Sequence, residues 1–327
     1  MPRPERSFRT EALILKRRGF GEADRLLTLL TPVHGKIEAI AKGARKLTST
    51  KTGHVELFTK ADMLIHRGRD LDIVTQAEMV QPYLALREDL QRGAYASYVA
   101  ELTDRFTAAD DQEDDAALFE LIEDTFARLC EDADPRLALR YFELHLLGLT
   151  GFKPELQHCV VSREAIQPQD QFFSFAEGGI LSPPFAHLGG SLTPISLNAL
   201  KLLRHMQRSP FSHVKSLNIS NALNAEVEKI LLGYVTYVLE RRLESIEFIR
   251  RLRTYSPKAA PTPSASSAPA TTVSANVPTA VSGDAAVVLE TADPPFAAIV
   301  TASEDVEDDE EEGYDVEGYD TDTSLSE

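Results

Sequence analysis

Residues 42–53 read KGARKLTSTKTG, four basic groups without an acid between them. A Lys-Thr pair among glycines is the residue set of a phosphate-binding loop, in which backbone N–H groups and the lysine cradle a nucleotide. That loop needs GxxxxGK[ST] and a helix directly after it. Here Thr50 precedes Lys51-Thr52, and Gly43 stands eight residues before Lys51, so the spacing fails. GFGEAD at 19–24 lacks the third glycine of a dinucleotide fingerprint, and no crossover helix follows it. What survives is loosely spaced positive charge, which suits a phosphate backbone because each neutralised phosphate releases counterions without demanding fixed geometry.

Other chemistry finds no residues to carry it. HExxH, GxSxG and HxE followed by PCxxC are all missing. His158 directly precedes Cys159 with no second cysteine nearby, and two cysteines (Cys130, Cys159) build neither a disulfide framework nor a four-cysteine metal site. His145 lies inside the apolar run FELHLLG and is expected to be structural. The carboxylates at 110–115 and 304–312 lack the alternation, central glycine and closing glutamate of a calcium loop. No acid, base or nucleophile is nominated, no cofactor is expected, and the chain reads as a non-enzyme.

The elements that would position the cations come next. TEALILK (10–16), DRLLTLLT (24–31), GKIEAIAKG (35–43), ELFTKADMLIH (56–66) and LDIVTQAEM (71–79) are short apolar segments separated by turn-like TPVHGK and HRGRD. In GKIEAIAKG, Ile37, Ala39 and Ala41 share one face and Glu38, Ile40 and Lys42 the other. Five such strands in one compact stretch, residues 1–81, predict a small β-barrel of OB type. LLTLLT fits a buried helical turn equally well, since period does not decide so short a run. Basic residues punctuate the turns: Lys16, Arg17, Arg18, Arg25, Lys36, Lys42, Arg45, Lys46, Lys51, Arg67 and Arg69. Aromatics for base stacking are few (Phe8, Phe20, Phe58), which favours backbone contact over sequence reading.

From residue 82 to 255 the period lengthens to that of helices: 83–106, 116–132 with Leu118, Leu121, Ile122, Phe126 and Leu129 in a stripe, 135–151 opened by Pro135, 194–210 closed by Pro210, and 219–255 capped by Ser220 or Asn221. Residues 152–193 carry little regular pattern. The fold class is therefore α+β, an OB-type barrel followed by an α-helical domain.

The formal charge of −17 over 327 residues is unevenly spread. Residues 1–80 hold 15 Lys and Arg against 10 Asp and Glu; residues 81–255 hold 18 against 25; residues 256–327 hold 1 against 16. That last stretch, SPKAAPTPSASSAPATTVSANVPTAVSG and then SEDVEDDEEEGYDVEGYDTDTSLSE near the end, is expected to be a disordered acidic tail. No run of eighteen apolar residues predicts a membrane span, and MPRPERSFRTEALILKRR lacks a secretory core, so a cytoplasmic location is expected.

Three stretches in order resemble one family. EALILKRRGFGEADRLLTLLTPVHGKIEAIAKGARKLTS (11–49), with its turn Gly21-Glu22-Ala23-Asp24 and its KGARK loop, is similar to the RecO family of DNA repair and recombination mediators. RYFELHLLGLTGFKPELQHCV (140–160) and LERRLESIEFI (239–249) match the same family further on. The resemblance implies an OB domain and a helical domain that bind single- and double-stranded DNA, anneal complementary strands, and are nucleoid-associated. It also implies partners: RecR, often RecF, and the acidic apolar C-terminal tail of single-stranded-DNA-binding protein, which RecA replaces. It supports Arg25, Lys42, Arg45 and Lys46 as DNA contacts. Arg17, Arg18, Lys51, Arg67 and Arg69 join them by charge. Glu22 and Asp24 would shape the loop, and Arg136, Arg140 and Arg204 would meet protein partners. The alternative is an interaction adaptor whose β domain binds protein instead of DNA.

Two departures follow. Many relatives carry CxxC…CxxC zinc ligands, whereas here Cys159 is followed by Ser162, Ser182 and Phe185 at the matching positions, so no zinc is expected. Packing by Phe172, Phe173, Phe175, Leu181 and Phe185 would hold the segment instead. The acidic tail extends beyond the matched region, and reads either as a solubilising appendage or as a competitor for the basic β face.

Overall fold

The structure, a computed structural model, describes residues 6–108, 116–132 and 134–254. The acidic stretch at 110–115 and the expected acidic tail at 256–327 lie outside the described residues. Strands β1 (Ser7–Phe20), β2 (Asp24–Thr31), β3 (Gly35–Ala41), β4 (Lys60–His66) and β5 (Asp72–Gln81) close into a barrel in the order β1-β2-β3-β5-β4. All pairs are antiparallel except β3 with β5, which meet only at Ala39–Asp72 and Ile40–Ile73. This is the five-stranded OB arrangement.

The alternation seen in GKIEAIA is real: Ile37, Ala39 and Ala41 enter the barrel core with Ile14, Leu27, Leu29, Met63, Ile65 and Val74. LLTLLT is a strand with both faces covered. Leu27 and Leu29 point inward, while Leu26, Thr28 and Leu30 are buried on the outer face. A strand buried on both sides loses its period-2 signal, which is why the pattern was undecided. Strand β1 is longer than the pattern predicts and bends between Ile14 and Lys16. There Phe58, at φ 60, and Thr59 bond the backbone of Ile14 at 3.0 and 3.1 Å.

Eight helices follow among the described residues. The expected 83–106 helix is two, α1 (Ala85–Glu88) and α2 (Leu90–Phe106), split where Asp89 turns extended and its carboxylate accepts the N–H groups of Gln91 and Arg92. Next come α3 (Ala116–Glu131), α4 (Arg136–Leu149), α5 (Leu197–Arg208), α6 (Phe211–Lys215), α7 (Asn221–Leu239) and α8 (Glu244–Thr254). Ser196 and Ser220 cap α5 and α7 with their hydroxyls, each satisfying an otherwise orphaned N–H. The long C-terminal helix breaks at Glu240, which adopts the left-handed conformation.

Helices and barrel pack directly together. The Lys36 ammonium donates to the Asp104 carboxylate at 3.0 Å and to the carbonyls of Asp104 and Thr107 at the end of α2. Lys16 reaches the same carboxylate at 3.0 Å. Burial alone would raise the Asp104 pKa, but the hydrogen bonds and charges of Lys16 and Lys36 outweigh it and leave it lowered. Phe126 of α3 meets Phe58 edge-on at 5.6 Å and Tyr83 at 5.8 Å. Lys16 and Lys36 are thus interface residues, held far from the loops.

Residues 152–193, expected to be irregular, contain a small antiparallel sheet completed by Leu192–Ile195. It is formed by β6 (Gln171–Ser174), β7 (Gly179–Leu181) and β8 (Leu192–Ile195), in the order β7-β6-β8. Strands of three or four residues are too short to show a period. Phe173 is buried and packs on Tyr234 of α7, with ring centroids 5.4 Å apart. Phe175 stacks on the same ring, and Leu181 is buried, whereas Phe172 and Phe185 are half-exposed.

Candidate nucleic-acid interface

The loop after β3 is built on the turn between β1 and β2. Gly43 has φ +68, which only glycine adopts without strain, and in that conformation its N–H donates to the Asp24 carboxylate at 2.7 Å. The Arg45 N–H donates to the Ala23 carbonyl at 2.9 Å, and the Arg45 guanidinium reaches the Gly21 carbonyl at 3.4 Å. The acids of the turn therefore act as expected for Asp24, which fixes the loop. Lys42, Arg45 and Lys46 are all exposed, and none has an ion pair among the described residues. Phe20, 44% exposed, and Leu47, fully exposed, stand beside them. Of the other two aromatics, Phe58 is fully buried and Phe8 packs on His34, with centroids 4.1 Å apart.

Other cations of the expected set have different surroundings. The Arg17 side chain is only 8% exposed and is ion-paired with Glu56; Arg25 approaches the same carboxylate at 3.8 Å. Arg18 is exposed on β1. Lys51 is half-buried and donates to the Val74 carbonyl at 3.1 Å, while His54 accepts the Met79 N–H at 3.0 Å. These two side chains satisfy the β5 edge where it parts from β3, and burial lowers the Lys51 pKa. Lys51 is thus a backbone latch.

Arg67 and Arg69 are exposed on the β4–β5 turn, Arg67 lying 5.2 Å from the Phe8 ring. They stand at the other end of β3 from the KGARK loop. Seven residues of strand separate the ends by about 20 Å. Between them, the outer side of β5 is open from Thr75 to Gln81, whereas the outer side of β2 is covered by helices. Arg9, Lys51, His54, Asp62, Thr75 and Gln76 line a groove of about 430 Å³ on this side. Arg9 binds Asp62 there through two hydrogen bonds, at 3.0 and 2.8 Å.

Comparison with known proteins covers both parts of this architecture. Residues 6–83 match the model described as Recombination protein O N terminal, and residues 87–247 match Recombination protein O C terminal. The chain belongs to the RecO family. It is 40% identical to the DNA repair protein RecO of Roseiflexus sp. (strain RS-1) over 257 residues, 77% of this chain and 90% of that protein. RecO of Dehalococcoides mccartyi strain BAV1 is 34% identical over 75% of this chain and 96% of its own. RecO of Symbiobacterium thermophilum is 34% identical over 75% and 98%. The family is one of DNA repair and recombination. No helix among the described residues is long and apolar enough to cross a membrane.

The three arginines expected to meet partners of a RecO protein are not equivalent. Arg140 is buried, pairs with Glu143 at 2.8 Å, and lies 3.7 Å from Glu228, an attraction too long for a hydrogen bond. Arg204 donates to the Leu156 carbonyl at 2.7 Å, holding the chain between α4 and β6. Arg136 binds Asp134 and Asn221 and borders a cavity of about 320 Å³, with Leu137, Phe211, Lys215, Leu217 and Ile219. Lys215, ion-paired to Asp132, was not among the expected residues; nothing in its local pattern marks it. His145 is structural as expected, bonded to the Met206 carbonyl at 3.0 Å.

The zinc positions do not fit a metal. Cys159 is buried and its sulfur accepts the Ser182 N–H at 3.4 Å. Burial would raise its pKa, but backbone donors at Ser182, Ser162 and Val161 and the Ser162 hydroxyl bring it to about 6. Ser162 and Ser182 lack thiolates, and Phe185 has no donor. Among the described residues no group of three His, Cys, Asp or Glu gathers.

Proposed function

We propose that this chain is a non-catalytic repair and recombination mediator that holds single- and double-stranded DNA by its backbone on the barrel. The observation that carries this is the anchored loop presenting Lys42, Arg45 and Lys46 to solvent with no carboxylate against them. Backbone neutralisation leaves bases available to a complementary strand, and bringing two phosphate chains to one cationic surface reduces their repulsion, a physical route to annealing. Arg67 and Arg69, about 20 Å away across β3, extend the track. Phe20 supplies a face for one stacked base.

The helical body would recruit RecR and the acidic apolar tail of single-stranded-DNA-binding protein, in support of RecA loading. The cavity beside Arg136 suits such a tail, since it combines Arg136 and Lys215 with Leu137, Phe211, Leu217 and Ile219. Titration of labelled oligonucleotides by fluorescence anisotropy at two salt concentrations tests the central claim. Binding of unrelated sequences with similar affinity, weakened by salt, is expected. Absence of binding at low salt would leave the protein-adaptor reading in its place.

A further inference from the structure

We infer that the acidic segment around residues 304–312 of this chain docks on its own Lys42–Lys46 loop and competes there with DNA. The inference rests on reading that loop as a DNA-backbone site.

The first support is a contrast in neutralisation. Arg9, Lys16, Arg17, Lys36 and Lys60 each sit against a carboxylate. In the helical body, Arg136 and Lys215 are likewise paired, with Asp134 and Asp132. Lys42, Arg45 and Lys46 are exposed without such a partner among the described residues. The folded body thus supplies the loop with no counter-charge of its own.

The chain beyond Thr254 does. It holds 16 Asp and Glu against the single basic Lys258, and EDVEDDEEE at 304–312 is acidic at every position except Val306. An extended chain advances roughly 3.3–3.6 Å per residue, and phosphates along one strand of duplex DNA stand about 3.4 Å apart. The segment therefore matches the charge spacing of the polymer it would displace. Tyr314 and Tyr319 follow closely, within reach of Phe20 and Leu47, the exposed apolar side chains beside the loop.

Connectivity permits the contact. Residues 255–283 contain no acid, and the path from Thr254 to Glu304 has a contour on the order of 170 Å. A body of this size has a radius of gyration of only about 18 Å. A linked segment acts at an effective concentration in the millimolar range. With a dissociation constant of about 0.1 mM as a free peptide, it would weaken DNA binding roughly tenfold.

The test uses the full chain and a full-chain variant in which the acids of 304–312 become Asn or Gln. Single-strand affinity is measured at low and high salt, and a labelled peptide of residues 303–320 is titrated with the variant in the absence of DNA. The expected result is roughly tenfold tighter DNA binding by the variant at low salt, narrowing at high salt, and peptide binding that is lost when K42E, R45E and K46E are added. Tighter DNA binding without peptide binding would assign the effect to net charge and overturn the inference. So would peptide binding that survives the loop reversals but is lost with R136E and K215E. Peptide binding at the loop by a protein that fails to bind DNA would keep the contact and discard the DNA reading, so the two can fail separately.

Discussion

The Asp24 carboxylate accepts the Gly43 N–H at 2.7 Å, joining the turn after β1 to the loop after β3 across 19 residues of sequence. An acid at the centre of a cationic surface weakens anion binding by its charge, so its presence is explained by positioning. Replacing Asp24 by Ala removes a charge-assisted hydrogen bond worth roughly 1.5–3 kcal/mol. The expected outcome is a lower Tm together with weaker DNA binding, even though the surface gains one positive charge. Asp24→Asn keeps an acceptor and should recover most of both. Tighter DNA binding by the Ala variant would mean that loop order is irrelevant.

Neutralising Lys42, Arg45 and Lys46 together should weaken binding to all single-stranded sequences alike. Each lost phosphate contact lowers the salt slope by about 0.7, so the three predict a fall of roughly 2 in the slope of log K against log salt. Lys51→Ala should behave differently, because its ammonium holds the Val74 carbonyl. It should lower thermal stability and leave the slope unchanged. Anisotropy across a salt series, beside a melting curve, separates the two behaviours.

How far the sequence reached follows the range of each interaction. The alternation of Ile37, Ala39 and Ala41, the serine cap at Ser220 and the break near Pro210 depend on neighbours, and were legible. LLTLLT was not, because its second face is covered by helices far along the chain. The cations divide in the same way. Lys42 and Lys46 are as exposed as a turn residue should be, but Arg17 and Arg25 meet Glu56, and Arg140 meets Glu143 and Glu228 in the core. Composition counts such charges as surface; only tertiary pairing tells an anchor from a contact. Glu143 and Arg140 did offer one local hint, opposite charges three apart in an otherwise apolar helix.

The region around Cys159 should hold together without metal. Its sheet is fixed by Phe173 and Phe175 against Tyr234, and the lone sulfur is occupied by the Ser182 N–H. Metal analysis of the purified protein is expected to find no stoichiometric zinc, and a chelator should leave Tm unchanged. Stoichiometric zinc, or a chelator-induced loss of stability, would contradict this account.

Glu143 makes the helical body sensitive to pH. Its side chain is fully buried between Arg140, at 2.8 Å, and the Tyr98 hydroxyl, which donates to it at 2.6 Å. Burial raises its pKa to about 7 from an ordinary value of 4.5, against the opposing pull of Arg140 and Tyr98. A carboxyl whose folded pKa is raised binds its proton more tightly in the folded state. Its contribution is therefore greatest below about pH 4.5 and is lost as pH rises towards 7. Glu143→Gln, which cannot ionise, should flatten that part of the stability profile, leaving the contributions of other groups in place. Removing Arg140 instead leaves the acid buried without its cation, and is expected to cost about 3–5 kcal/mol where Glu143 is ionised. Because a neutral Glu143 needs no cation, the loss from Arg140→Ala should shrink as pH falls below 7. Denaturant titrations of the three proteins at pH 5 and pH 8 check both statements; an Arg140→Ala penalty independent of pH would show that Glu143 stays ionised throughout.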